Sequence, residues 1–191
     1  AYAYFTLYRY YGGVPLIIEP TGPKPDYVPR ATRQEMFKFL YDEMAYALDK
    51  CLDNRSGIAY GRVTKGAVAG MLAKMKIFHA SYIRRAEMYG NKINETTADD
   101  VDKTTLYADA VKLCDDIIAG VYGTYKLEEY FPAVFTKRNN EIMFSVLAEE
   151  GVGTGNKIPM GFAGEGKYGA TGGRNLTSWL TLLYDIPLSL I

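Results

Sequence analysis

The stretch YGRVTKGAVAGMLAKMKIFHA, from Tyr60 to Ala80, decides the fold expected of this chain. After a glycine-containing loop, Thr64 is placed to cap the start of a helix. Apolar side chains then recur at three- and four-residue spacing, which marks one helical face: Val68, Leu72, Met75 and Phe78 or His79. The residues beside this face have small side chains, which leave room for another helix to approach closely: Gly66, Ala67, Gly70 and Ala73. The stretch therefore predicts the central helix of a helical stack, running to about Glu87.

The segments around this stretch predict further helices. Residues 1–11 are rich in aromatic side chains, and a helix there should stop at Gly12 and Gly13. Thr32 and Glu35 match the capping box S/T-x-x-E, which predicts a helix from there to about Cys51. Another helix should begin at Thr104 or Thr105 and end at Gly120. Because helix starts near residues 32, 64 and 104 lie close to a 34-residue step, we expect a mainly α fold of tetratricopeptide-like stacked antiparallel helices, with long irregular loops and little β structure.

Two of these helices have apolar faces that predict which side chains are buried. The face of the helix after Thr32 holds Met36, Phe39 or Leu40, Met44, Ala47 or Leu48, and Cys51. The face of the helix that ends at Gly120 holds Tyr107, Ala110 or Val111, Cys114, and Ile117 or Ile118. Both cysteines are accordingly expected to be buried thiols rather than a disulfide pair.

The composition of the sequence changes after Tyr122. Residues 126–140 form an aromatic, loop-like passage, and EIMFSVL at 141–147 is the best candidate for a strand. Residues 151–173 contain nine glycines, and we interpret 151–174 as a long glycine-rich loop. Asn175 is placed to cap a last helix, LTSWLTLLYD. We interpret residues 1–191 as a single helical segment of a longer protein.

Composition and motifs argue against several classes of function. Lys plus Arg and Asp plus Glu number 22 each, which argues against a nucleic-acid partner recruited by net charge. His79 is the only histidine and no CxxC occurs, so we expect no zinc site and no cofactor. The sequence GEGKYG at Gly164–Gly169 matches a dinucleotide-binding pattern but lacks the strand and helix that the pattern needs. Since no nucleophile elbow occurs either, we expect a protein that is not an enzyme.

The residues most suited to recognition lie in the glycine-rich loop and just after it. Tyr168 and Trp179 can stack on the face of a sugar, while Arg174 and Asn175 can hydrogen-bond its hydroxyls. We therefore predict a ligand-binding site at these four residues, with no metal. The alternative is that Trp179 anchors the last helix in the core. The 17 tyrosines of the chain allow the same two interpretations, because tyrosine suits both wet binding surfaces and helix–helix contacts.

Several segments together resemble the SusD/RagB family of nutrient-binding lipoproteins. RYYGGVPLIIEP resembles the family's aromatic–Tyr–Gly–x–Val–Pro–Leu segment, and PRATRQEMFKFLYDEMAYAL resembles its Pro–Arg–x–Ser/Thr segment and following helix. GRVTKGAVAGMLAKMKIF is similar to the Gly–Arg–x–Thr–Lys–x–Ala helix of these proteins. YADAVKLCDDIIAGVYGTYKLEEY, Phe135 and NEIMFSV then follow in the family's order. The resemblance covers residues 4–147.

This resemblance implies a function that composition alone does not indicate. Members of the family lie on the cell surface at the outer membrane, bind glycans or sometimes peptides, and cover a SusC-like TonB-dependent transporter. Their helical half is a tetratricopeptide-like scaffold that contacts the transporter. The lipid anchor would lie outside this chain, because neither cysteine is at a mature N-terminus. The alternative interpretation is a tetratricopeptide-type protein-interaction adaptor.

Overall fold

The computed structural model of the chain describes residues 1–19, 27–53, 61–89, 101–131, 133–136 and 139–145. All of them belong to one compact unit, Ala1–Ser145. Its elements are the helices α1 (Tyr2–Tyr11), α2 (Arg33–Lys50), α3 (Lys65–Tyr89) and α4 (Lys103–Ile118), followed by the one-turn helix α5 (Ala133–Thr136). The mainly helical fold predicted from the sequence is confirmed, with helices packed against each other and, in the described residues, almost no strand.

The helix ends follow from the capping residues that the sequence provides. At the start of α2, the Thr32 hydroxyl accepts a hydrogen bond from the Glu35 backbone N–H at 3.2 Å, and the Glu35 carboxylate accepts one from the Thr32 N–H at 2.8 Å. The predicted capping box is thus confirmed. At α3, the Thr64 hydroxyl accepts from the N–H of Ala67 at 3.3 Å. Asp102 caps α4, which begins slightly earlier than the sequence predicts.

α3 is the central helix of the unit and runs antiparallel to α2. At one end of this pair, the Arg33 guanidinium lies over the Tyr82 ring, 5.1 Å from its centroid. At the other end, Leu52 and Thr64 form an isolated β-bridge. Between these ends, the predicted face of α3 is buried, with exposed fractions between 0 and 7%: Val68, Leu72, Met75 and His79. The prediction of a central helix with this apolar face is therefore confirmed.

α4 packs antiparallel along another side of α3. The Lys76 ammonium and the Asp109 carboxylate are 2.7 Å apart, and Lys103 pairs with Glu87 nearer the other end of the two helices. Gly70 lies beside Ile117, because a Cβ added at Gly70 would come within 4.0 Å of the Ile117 side chain. The small residues of α3 thus allow α4 to pack closely against it, as the sequence predicts.

α1 completes the core with aromatic rings. Phe5 lies edge-on to Phe78 of α3, with ring centroids 5.7 Å apart, and Tyr8 lies edge-on to Phe37 of α2 at 5.1 Å. Such edge-to-face pairs are favourable beyond the area that they bury. The chain leaves α1 at Gly12, which has a φ of 70°, as the predicted stop at the two glycines requires.

The buried face of α4 differs from the prediction at its cysteine. The side chains that face α3 are Leu106 and Ala110, which are buried, with Leu113 and Ile117 half-buried. Cys114 follows Leu113 around the helix by about 100° and is exposed. The expectation that Cys114 is buried is therefore wrong. Cys51 is half-buried, and both thiols are free.

The predicted strand at residues 141–147 is wrong over residues 141–145, which have no regular secondary structure. The Asn139 side chain accepts hydrogen bonds from the N–H groups of Glu141 and Ile142, at 3.0 and 3.1 Å, and so folds the start of the segment into a turn. Its apolar side chains pack onto the helices instead, since the Phe144 ring lies 5.6 Å from that of Tyr2. The adjoining passage, predicted to be a loop, contains the one-turn helix α5.

Among the described residues, no helix has both the length and the apolar composition needed to cross a membrane.

Candidate functional site

The four residues predicted to bind a ligand lie outside the described residues. Tyr168, Arg174, Asn175 and Trp179 all fall in residues 146–191. The same holds for the glycine-rich loop at 151–174 and for the predicted last helix. Their roles stay predictions, and the candidate sites described below come from residues 1–145.

The described residues contain a pocket of about 260 Å³ between α2 and α3, which we call the α2–α3 pocket. One face of α2 supplies most of its wall, because residues spaced by three and four positions lie on the same side of a helix. α3 adds one side chain, and one more comes from the segment before α4. The lining residues are Gln34, Phe37, Lys38, Tyr41, Asp42, His79 and Val101.

The floor of the α2–α3 pocket is aromatic and rigidly held. The imidazole of His79 stacks on the Phe37 ring, with centroids 3.8 Å apart and planes within 1° of parallel. The Tyr41 hydroxyl lies 2.9 Å from His79 Nδ1 and forms a hydrogen bond with it. Phe37 and His79 are 1% and 2% exposed, so the pair is locked in the core. The rings of Phe37 and His79 therefore serve the packing of α2 against α3, and Tyr41 is the half-buried aromatic side chain of the three.

Charged side chains of α3 and α4 connect to the aromatic group that α2 and α3 form. The Lys76 ammonium lies over the Tyr41 ring, 4.8 Å from its centroid, and also pairs with Asp109 of α4 at 2.7 Å. The contact with the ring is a cation–π interaction, which orients the tyrosine. Tyr41 is thus fixed from α3 through both Lys76 and His79.

The rim of the α2–α3 pocket carries its hydrogen-bonding groups. Lys38 Nζ and Asp42 Oδ2 are 2.6 Å apart, and their side chains are 74% and 66% exposed. The ammonium offers donors, the carboxylate offers acceptors, and the Gln34 amide offers both. Because the charged pair is accessible to solvent, its remaining donors and acceptors can turn toward a ligand. The polar groups of the pocket that a small molecule could reach therefore lie at its rim.

A second cavity, of about 320 Å³, is lined mainly by apolar side chains, and we call it the apolar groove. It lies where α1 begins, α2 ends and α3 begins, and Phe144 forms part of its wall. The half-buried thiol of Cys51 also lines it. Nearby, a hydrogen bond and an ion pair with Asp53 raise the pKa of Lys65, whose Nζ is 2.9 Å from the carboxylate. The other lining residues are Ala1, Tyr2, Glu43, Met44, Ala47, Val63, Ala67, Val68 and Met71.

In the part of the chain that the structure describes, no group of three or more His, Cys, Asp or Glu side chains is placed to hold a metal ion. Asp102 is the N-cap of α4. Its carboxylate accepts a hydrogen bond from the Thr104 N–H at 3.0 Å, and its interaction with Thr104 lowers its pKa.

Sequence reasoning predicted the helix that supplies the α2–α3 pocket but missed the pocket itself. Phe37 was not assigned to the buried face of α2, because it lies beside the main apolar stripe. A usable signal was present: Gln34, Lys38 and Asp42 are spaced by four residues, so they form a polar row next to the aromatic residues at 37 and 41. Such a row beside a second aromatic face indicates a helix that is contacted on more than one side.

No protein-family model matches the chain, and no match was found among curated proteins or among solved structures.

Proposed function

We propose that this protein binds glycan or peptide nutrients at the cell surface and delivers them to a SusC-like TonB-dependent outer-membrane transporter, without catalysing a reaction. The observation that carries this proposal is the ordered series of segments between residues 4 and 147 that resemble SusD/RagB proteins. Membrane association would come from a lipid anchor. The ligand site would include Tyr168, Arg174, Asn175 and Trp179.

Contacts between these segments support the proposal. Arg30, from PRATRQ, donates hydrogen bonds to the carbonyls of Gly13 and Tyr11, at 2.6 and 2.8 Å, and both acceptors belong to RYYGGVPLIIEP. Thr64, from GRVTKGAVAGMLAKMKIF, forms a hydrogen bond with the Tyr125 hydroxyl at 2.9 Å. Residues on which the resemblance rests therefore join one segment to another. This is expected if the segments are parts of one structural pattern rather than chance similarities.

A second candidate function is that of a tetratricopeptide-type adaptor that binds a protein segment. The apolar groove favours it, because helical stacks commonly bind peptides in grooves lined by apolar side chains. An adaptor would need neither a lipid anchor nor a transporter. The full gene separates the two proposals: a lipoprotein signal upstream and an adjacent transporter gene support the first, whereas a cytosolic chain with further 34-residue repeats would overturn it.

The direct test is a panel of glycans and peptides assayed against the full-length protein. We expect binding of at least one class, with no release of reducing ends when polysaccharides are incubated with the protein. Sugar release would show a glycosidase and contradict the proposal. Trp179→Ala should weaken glycan binding and leave the melting temperature nearly unchanged. Unfolding of that variant would assign Trp179 to the core instead.

A further inference from the structure

We infer that the outer groove between α3 and α4 is a docking surface for an acidic amphipathic helix of a partner protein. The surface goes beyond the proposed function, because it includes no residue of the predicted ligand site and does not depend on which nutrient is bound. It also lies apart from the apolar groove, to which α4 contributes no side chain.

Two stripes of side chains run beside each other along α3 and α4. The hydroxyls of Ser81 and Tyr107 lie 3.3 Å apart, which places these two residues on the same side of the helix pair. Side chains that recur at three- and four-residue intervals from each of them share that side. The apolar members of the two stripes are Ile77 and Met88 on α3, and Val111, Cys114 and Ile118 on α4. We call the surface that they form with Ser81 and Tyr107 the α3–α4 groove.

The apolar side chains of the α3–α4 groove are exposed to solvent. The accessible fraction is 84% for Ile118, 62% for Met88 and 60% for Val111. Ile77 and Cys114 are exposed as well. These side chains contribute little to the core, and they lie next to one another on two packed helices rather than singly. Neighbouring exposed apolar side chains of this kind mark interaction sites.

The shape of the groove fits a helix. Its apolar side chains have the spacing at which an amphipathic helix presents its own anchors, so the side chains of a third helix can interdigitate with both stripes. The backbone groups inside α3 and α4 are engaged in helical hydrogen bonds, which leaves an extended peptide without backbone partners. Each stripe covers eleven residue steps, about 16 Å, which corresponds to about three turns of a partner helix.

The charges of the groove select an acidic partner. Lys74, Arg84 and Arg85 lie within or beside the α3 stripe, and all three are exposed. In the part of the chain that the structure describes, none of them forms an ion pair. By contrast, every other lysine of α3 and α4 is paired with a carboxylate: Lys65, Lys76, Lys103 and Lys112. Carboxylates along one flank of a partner helix would complement the three cations, which favours this partner over others.

The same charges disfavour a second copy of the chain as the occupant. A second copy would bring its own three cations to the interface. On the α4 side of the groove, Asp115 is the exposed acid that could oppose them. Positive charge would therefore remain in excess, and like charges brought together across an interface are unfavourable. An anionic lipid surface would satisfy the cations, but side chains that line a groove between two helices are poorly placed to enter a flat interface.

The test uses a fluorescein-labelled helical peptide of about 18 residues, or five turns, as the probe. It carries leucines at three- and four-residue intervals with glutamates beside them. One comparator has lysines in place of the glutamates, and the other has the same composition with the leucine order scrambled. Fluorescence anisotropy with the full chain should give a Kd of roughly 1–100 µM for the glutamate peptide, as expected of a small interface. Both comparators should bind at least about ten-fold more weakly.

Matched variants test the charge and the apolar contacts separately. Lys74→Glu should weaken binding of the glutamate peptide about ten-fold and strengthen binding of the lysine peptide. Lys112→Glu, outside the groove on the same helix pair, should change neither. Ile118→Ser should weaken binding about ten-fold. Ile18→Ser should not, although Ile18 is also largely exposed, at 71%. All four side chains are exposed, so melting temperatures should stay close to that of the wild type.

The two thiols report where the peptide binds. Bound glutamate peptide should slow the alkylation of Cys114 in a Cys51→Ser variant, because Cys114 lies in the α3–α4 groove. It should leave the alkylation of Cys51 unchanged in a Cys114→Ser variant, because Cys51 lines the apolar groove instead. Protection of Cys51 alone would move the peptide to the apolar groove and overturn the inference.

The inference is also overturned if the glutamate peptide does not bind, or if the lysine peptide binds equally well. Protection of Cys114 that needs only a higher protein concentration would assign the groove to a second copy. Protection by phosphatidylglycerol vesicles, without binding of the glutamate peptide, would assign it to a lipid surface. Lys74→Glu should bind glycans as the wild type does, so the proposed function and this inference can fail separately.

Discussion

Replacing Gly66 by alanine should destabilise the protein, although alanine is normally the better helix former. Gly66 lies in the first turn of α3, directly beneath the ring of Tyr125. A Cβ at this position would overlap the Tyr125 ring carbons and hydroxyl, well inside the 3.0 Å that real Cβ contacts respect. The ring would have to move, and its hydrogen bond with the Thr64 hydroxyl, now 2.9 Å long, would break.

The expected size of this effect follows from three contributions. Overpacking costs about 1–3 kcal/mol and the lost hydrogen bond about 1 kcal/mol, while replacing a helical glycine by alanine returns up to about 1 kcal/mol. The net loss in the free energy of unfolding is therefore about 1–3 kcal/mol. For a chain of this length, that corresponds to a decrease in melting temperature of roughly 3–10 °C, measurable by circular dichroism or calorimetry.

Two control variants distinguish this explanation from a general sensitivity of α3. In a Tyr125→Ala background the ring is absent, so Gly66→Ala should become neutral or stabilising. Gly70→Ala, one turn further along the helix, should be nearly neutral in the wild type, because its Cβ would meet the flexible end of Met143 at 3.2 Å. The reasoning is refuted if Gly66→Ala raises the melting temperature of the wild type, or lowers it equally in the two backgrounds.

Three further predictions concern a helix cap, the thiols and the core. Hydrogen bonds from Thr32 hold the pKa of Glu35 below its ordinary value of 4.5, so the capping contribution of Glu35 is complete above that value and is lost as the pH falls through the folded pKa. In thermal melts, the stability advantage of the wild type over Glu35→Ala should therefore shrink between about pH 6 and pH 3. An advantage that does not change with pH would contradict this prediction. Cys114 should react with a thiol reagent faster than Cys51 in the native protein, measured on the two single Cys→Ser variants, because only Cys114 is exposed; equal rates would argue against the packing of α2. Phe37→Ala should cost about 3–5 kcal/mol in chemical denaturation, and a loss below about 1 kcal/mol would show that the stacked floor is not part of the core.

The parts of the fold that could be predicted from the sequence are those determined by neighbours in the chain. Thr32 and Glu35 are three residues apart, and their reciprocal hydrogen bonds need nothing beyond the first turn of α2. The face of α3 was equally predictable, because this long helix is buried along most of its length and its periodicity repeats several times.

The wrong predictions arose where distant contacts decide the outcome. Cys114 matches the apolar spacing of α4 as well as Leu113 does, and only the position of α3 shows that Leu113 packs against the core while Cys114 is exposed. Residues 141–145 have the composition of a strand, but no described strand lies beside them to form a sheet. Their apolar side chains pack against helices instead, a choice that a pattern within the segment cannot reveal.

The α2–α3 pocket was missed for the same reason, since it exists only because α2 and α3 are antiparallel. Phe37 and His79 are 42 positions apart in sequence, and neither is unusual in its own helix. Their stacking depends on the register between the two helices, which is fixed at one end by the contact of Arg33 with Tyr82. A register shifted by one turn would move His79 about 5 Å along the pair and remove the floor of the pocket.

The tyrosines of the chain show how this scaffold can serve recognition. Tyr8 and Tyr41 take part in packing, through ring contacts and, at Tyr41, a hydrogen bond to His79. Others remain largely exposed, with 65–91% of their surface accessible: Tyr10, Tyr11, Tyr27, Tyr46, Tyr89 and Tyr130. The packing interpretation of the tyrosine content is therefore confirmed for Tyr8 and Tyr41, and the binding interpretation stays a prediction for the exposed tyrosines. Exposed tyrosines contribute nothing to the core, but they offer flat apolar rings with a hydrogen-bonding end at little cost in side-chain entropy. Their rings are chemically suited to contacts with sugar faces and with protein partners, but exposure alone does not distinguish them from ordinary surface residues.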